Sequence, residues 1–166
     1  METTGLKDDC EVVEFAVVHL DFDGEPEDSI EQLVKPSGQL GAEEVHGITE
    51  ADLTDAPFFG EVVDNLIRWI AGRVVVGHNV SFDLSVCARS AAQAGRSWPA
   101  TQFVDTKILA GRAGYRASTL EQVISAVELD LPVRHRALPD ALVTAQVFQR
   151  LMHDVGTLGV ADLRSH

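Results

Sequence analysis

The chain has too few cysteines to staple a fold. Cys10 and Cys87 are the two in 166 residues. They show no metal-ligand spacing, so disulfide scaffolds and cysteine-based zinc sites are excluded and both read as reduced thiols. Basic residues are also scarce, with 13 Lys and Arg against 26 Asp and Glu and a net charge of −13. That balance argues against wrapping duplex DNA, which relies on many cationic contacts to phosphate. It leaves nucleic acid open as a substrate, because divalent cations held by carboxylates supply positive charge locally. No apolar run approaches the roughly 20 residues of a membrane span. The first ten residues are polar, unlike a secretory signal, so the expected compartment is the cytoplasm and no membrane partner is expected. Repeats, low-complexity segments and internal linkers are absent as well.

What is present suits an ordinary globular domain. Hydrophobic residues make up 45% and charged residues 23% of the chain, enough for one core. The expected division is a domain over residues 1–155 and a short C-terminal tail over 156–166. Glu11 to Asp21 alternates as a strand, with Val13, Phe15 and Val17 on one face and Ala16, Val18 and Leu20 on the other. Both faces are apolar, which predicts burial on both sides. Asp23-Gly24 signals a hairpin turn, and residues 30–34 read as the returning strand. Thr49 and Asp52 have the spacing of a cap for a short helix. Pro57 opens a longer helix with Phe58, Val62, Leu66, Trp69 and Ile70 along one face, closed by Gly72. Residues 73–77 form a buried Val-rich strand, 82–94 a helix, and 102–104 a short strand. Helices follow over 106–113, 118–127 and 138–153, the last with Leu142, Ala145, Phe148 and Met152 as its core face. Strands first, then helices alternating with short strands, give an α/β fold with a mixed sheet.

Three strings carry chemistry. Glu2-Thr3-Thr4-Gly5 opens the chain, Gly77-His78-Asn79-Val80-Ser81-Phe82-Asp83 bridges a strand and a helix, and His135-Arg136-Ala137-Leu138-Pro139-Asp140 opens the last helix. Taken singly, each has a bland reading. Glu2 is a solvated charge, Asp83 and Asp140 are first-turn carboxylates, and His135 is a surface histidine. Thr3 and Thr4 are a polar turn, and Phe82 is core.

Together the strings resemble the DEDDh, or DnaQ-like, family of 3′–5′ exonucleases, which includes the epsilon proofreading subunit of bacterial DNA polymerase III. The resemblance runs from residue 2 to about 152. It implies the ribonuclease H-like fold, with a mixed central sheet flanked by helices. In that fold the family's opening Asp-x-Glu-Thr-Thr-Gly ends the central first strand. Met1 falls on the x, so the family's leading Asp is absent from residues 1–166 and the first strand is expected to be largely missing. The expected consequence is weak metal binding and little activity of these 166 residues, with a start upstream of Met1 favoured over a natural truncation. Strand 11–21 is expected to lack ladder partners.

The resemblance also implies roles. Phosphodiester hydrolysis by this family uses two divalent ions, Mg²⁺ or Mn²⁺, roughly 3.5–4 Å apart. Glu2 and Asp140 would hold the ion that activates water, and Asp83 the other, as hard oxygen ligands suit magnesium. His135 would be the general base, since histidines titrate near working pH. Thr3, Thr4, His46 (within His46-Gly47-Ile48-Thr49), Asn79 and Phe82 would meet the terminal nucleotide. Asp105 reads as structural. The implied substrate is a single-stranded or frayed DNA 3′ end, with a DNA polymerase as partner. Two other readings stay open: an exoribonuclease on short RNA, and a non-catalytic nucleic-acid or polymerase-binding module.

Overall fold

A computed structural model of the chain describes residues 1–7 and 9–156. The expected tail therefore lies outside the described residues, except for Gly156. The α/β expectation holds, and the sheet is divided in two. β1 (Glu2–Thr3), β2 (Val12–Leu20) and β3 (Pro26–Leu33) form an antiparallel sheet in that order. β4 (Val74–Gly77) and β5 (Gln102–Asp105) form a separate parallel pair. As expected, very little of the first strand is present: β1 has two residues, pairing Glu2 with Glu14 and Thr3 with Val12. Beyond Glu14, β2 is laddered to β3 from Phe15–Gln32 to Leu20–Pro26, so it does have one ladder partner.

The hairpin forms where its turn signal lies. Asp21 Oδ1 accepts from the Asp23 amide at 2.9 Å and the Glu25 amide at 2.8 Å. Gly24 sits at φ +88°, a conformation that suits glycine. β3 starts earlier than expected, at Pro26.

The helices are α1 (Glu43–His46), α2 (Phe59–Ile70), α3 (Val80–Gln93), α4 (Thr106–Arg112), α5 (Leu120–Ala126) and α6 (Ala137–Val155). Three sequence expectations need correction. Thr49 and Asp52 cap a set of turns over 50–55 rather than a helix. Asp52 Oδ2 accepts from both the Thr49 amide and hydroxyl at 2.8 and 2.7 Å, but Pro57 soon blocks helical growth. The short helix in this region is α1, which precedes them. The buried face of α2 is Phe59, Val63, Leu66 and Ile70, one position out of register with Phe58 and Val62. Phe58 is the N-cap residue and stays 51% exposed, while its amide donates to Glu61 Oε2 at 2.8 Å. In α6 the buried stripe is Val143, Val147 and Leu151; of the expected face Ala145 is buried, while Leu142, Phe148 and Met152 are half-buried.

Two hydrophobic clusters do most of the packing. One joins Val12, Phe15 and Val34 to α2 and α3 through Val63, Leu66, Val86 and Ala91. The other joins Val104 to α4, α5 and α6 through Leu109, Val123, Val147 and Leu151. β4 is half-buried rather than buried. A cleft of about 780 Å³ opens between the two sheets, lined by Phe15 to Leu20 of β2 and Val74 to Gly77 of β4.

Candidate active site

The cleft gathers residues from all three strings. Glu2, Thr3, Asn79, Phe82, Asp83, His135 and Asp140 line it. Each stands where a strand meets a turn or a helix begins. Glu2 is on β1, Asp83 is in the first turn of α3, and Asp140 is in the first turn of α6. His135 lies in the loop before α6 at φ +50°, a left-handed backbone unusual for a side-chain-bearing residue.

Burial governs the electrostatics. Desolvation raises the Glu2 carboxyl above its ordinary range, and nearby Asp140 raises it further. The Met1 amino group, His46 and His135 oppose that rise. Asp83 is also raised by burial, although 31% of its side chain remains exposed. The Met1 amino nitrogen lies 3.8 Å from Asp83 Oδ1 and partly offsets the shift. Asp140 Oδ1 accepts from the Arg134 amide at 2.8 Å.

The second string is held by its own network. Asp105 is buried at the end of β5, and its Oδ1 accepts from the amides of Asn79 and Lys107, both at 2.9 Å. It thereby caps α4 and fixes the turn that carries Asn79, in keeping with its structural reading. Burial lowers the pKa of His78, favouring neutral imidazole. Nε2–H then donates to the Ser118 carbonyl at 3.3 Å, and Nδ1 accepts from the Thr106 hydroxyl at 3.1 Å.

Two expected substrate contacts lie away from the cleft lining. Thr4 Oγ1 accepts from the Glu11 amide at 3.0 Å. His46 is 4% exposed. Its Nδ1 accepts from the Ile48 amide at 3.0 Å, which puts its proton on Nε2, donated to the Gly41 carbonyl at 3.0 Å. Both ring nitrogens are thus engaged within the loop.

Two carboxylates in this region escaped the sequence reading. Glu121 lines the cleft near His135 and His78. Glu14 is fully buried on β2 and bonded to Arg136 and Ala137. The signal for Glu14 was available, as a lone charge inside the apolar run Val12 to Val18.

The donor chemistry fits a hard divalent cation: Glu2, Asp83, Glu121 and Asp140 line one cleft, and burial raises the first two. They are not drawn into a tight cluster. Among the described residues no group of three or more His, Cys, Asp or Glu converges closely enough to hold a metal ion.

Comparison with known proteins follows the same outline. A family model described as RNase_T, Exonuclease, matches residues 1–148. The PolC-type DNA polymerase III of Thermotoga petrophila is 31% identical over 98% of this chain. That of Bacillus cereus is 31% identical over 93% of it. The chain spans only about 12% of the first relative's length and 11% of the second's. Among solved structures, Exonuclease X in complex with 5′ overhanging duplex DNA superposes with a TM-score of 0.78 at 24% identity, covering 98% of this chain and 93% of that one. The nuclease domain of 3′hExo, a DEDDh family member bound to rAMP, gives 0.82 at 20% identity, covering 99% and 92%. These likenesses assign the ribonuclease H-like fold.

Proposed function

The chain belongs to the RNase_T exonuclease family, and from that premise we propose that it removes nucleotides from the 3′ ends of single-stranded or frayed DNA. The observation that carries this reading is the meeting of Glu2, Asp83, His135 and Asp140, from three distant segments, on one cleft. Glu2, Asp83 and Asp140 would hold two Mg²⁺ or Mn²⁺ ions, which supply charge neutralisation and an acidified water when bound. His135 would take up a proton from the attacking water, since an exposed imidazole at the cleft margin can pass it on to solvent. It lines the cleft together with Glu2 and Asp140. Thr3, Asn79 and Phe82 line the remaining wall and would orient the terminal nucleotide.

The curated relatives are polymerases, so a replicative DNA polymerase is the partner we propose, in the cytoplasm. No helix among the described residues is long and apolar enough to cross a membrane. RNA is the competing substrate, since the superposed 3′hExo nuclease domain is bound to rAMP.

The test uses 5′-labelled DNA and RNA oligonucleotides of one sequence with Mg²⁺ or Mn²⁺. A ladder shortening from the 3′ end of DNA, abolished by EDTA, is expected once the family's leading Asp is supplied ahead of Met1, with little activity from residues 1–166 alone. A faster ladder on RNA would shift the substrate to short RNA. Internal cleavage, or cleavage indifferent to EDTA, would reject the proposal. Binding of 3′ ends without cleavage would favour a non-catalytic module.

A further inference from the structure

We propose that Glu14, fully buried, and Arg136, whose side chain is 44% exposed, form a clasp whose work is to position His135; this rests on reading His135 as the general base. Glu14 has no exposed surface. It accepts from Arg136 Nη2 at 2.6 Å, from Arg136 Nε at 3.0 and 3.1 Å, and from the Ala137 amide at 2.7 Å. A guanidinium fork on a carboxylate fixes direction as well as distance. α6 has no side-chain cap of its own, so this strand carboxylate satisfies its first-turn amide across the fold.

The placement of Glu14 gives the clasp its meaning. It stands directly opposite Glu2 in the β1–β2 ladder. It therefore ties the strand bearing one reacting carboxylate to the loop bearing the base. His135 lies between two anchored neighbours. The Arg134 amide is held by Asp140 Oδ1 at 2.8 Å, and Arg136 and the Ala137 amide are held by Glu14. A left-handed residue persists only where its surroundings over-determine it, and bonds on both sides do so here. With its guanidinium partly in solvent the pair adds little net stability, so its value lies in fixing one arrangement. Glu14 and Arg136 are positioning residues, since neither has to touch the substrate.

The experiment uses the full chain with the paired change Glu14→Gln and Arg136→Met. This removes the ion pair without leaving an orphan buried charge, and Gln can still accept from the Ala137 amide. A parent-like melting temperature establishes folding. The single change Arg136→Lys, which keeps charge but loses the fork, serves if the pair misfolds. Amide hydrogen exchange at Arg134 and Ala137 is expected to speed up about tenfold or more, the mark of local opening. On labelled DNA, kcat should fall by about 10²-fold with KM nearly unchanged, the scale of a misplaced catalytic group. Adding His135→Ala to the pair should then cost much less than it does in the parent, because the two defects act through one group. Unchanged exchange in a folded variant would overturn the clasp. Full additivity with His135→Ala would overturn its positioning role. If the parent shows no nuclease activity, as the absent family Asp implies, the kinetic arms are run on a chain extended to supply that Asp, and exchange decides whether the clasp holds the loop.

Discussion

The two ends of the cleft are built differently. At one end stand Glu2, Asp83, His135 and Asp140, around the start of β2 and the C-terminal end of β4. At the other stand Val17, Leu20, Trp69, Val74 and Phe148, and there the polar group His19 is consumed in packing. His19 stacks on Trp69 with centroids 4.2 Å apart, and its Nε2–H donates to the Trp69 carbonyl at 2.8 Å. Leu20 is six residues past Glu14, about 20 Å along the strand. The difference shows where the fold can spare side chains for chemistry. Strand ends and helix starts leave polar groups unpaired and aim them outward, whereas mid-strand residues are committed to the core.

This contrast can be broken by crossed substitutions. The largest effect is expected from His135→Ala at the polar end. Its kcat on labelled DNA should fall by about 10²–10⁴-fold, while the melting temperature stays close to that of the parent. A large loss of stability with normal turnover would exchange the roles of the two ends. Leu66→Ala, in the cleft wall below the apolar end, should do the reverse. Leu66 is 4% exposed, and its truncation should cost about 2–5 kcal/mol of unfolding free energy in a urea titration. Turnover per folded molecule should be unchanged.

Cys87 marks the boundary, one turn along α3 from Asp83 and with its Sγ 3.7 Å from Met1 Sδ. Burial pushes its thiol up to about 12 from an ordinary 9.0. A raised native pKa means the thiol favours the folded state below pH 9 and loses that contribution as pH climbs toward 12. In that window the unfolded chain releases the proton and the native chain keeps it, so stability falls with pH. Comparing the parent with Cys87→Ala, the difference in unfolding free energy should change by about 1.4 kcal/mol per pH unit above 9. A constant difference across that range would place Cys87 in a wetter setting, on the polar side of the boundary.

Much of this was legible in the sequence because it is local. Asp23-Gly24 between alternating apolar runs gave the hairpin, and Gly72 marked a helix end. Glu2, Asp83, His135 and Asp140 were found as strings, since each sits at a strand end or around a helix start that neighbouring residues specify. What escaped depends on contacts remote in sequence. Glu14 meets Arg136 across the whole fold, and no local rule pairs them. The register of α2 turned on Phe58 serving as its N-cap, so that Phe59 and Val63 face the core instead. His46 looked available as a motif residue, yet its loop uses both ring nitrogens. The division of the sheet into β1-β2-β3 and β4-β5 is likewise set by pairings between distant segments.

The central claim, that the polar end of the cleft is where cations and substrate meet, is tested most directly by titrating the isotopically labelled protein with Mn²⁺ and reading paramagnetic broadening of its amide resonances. The predicted result is that Glu2, Asp83, His135 and Asp140 broaden first and that Glu2→Gln weakens the effect there. Broadening centred on the acidic β3 hairpin at Glu27, Asp28 and Glu31, with Glu2→Gln behaving as the parent does, would contradict it.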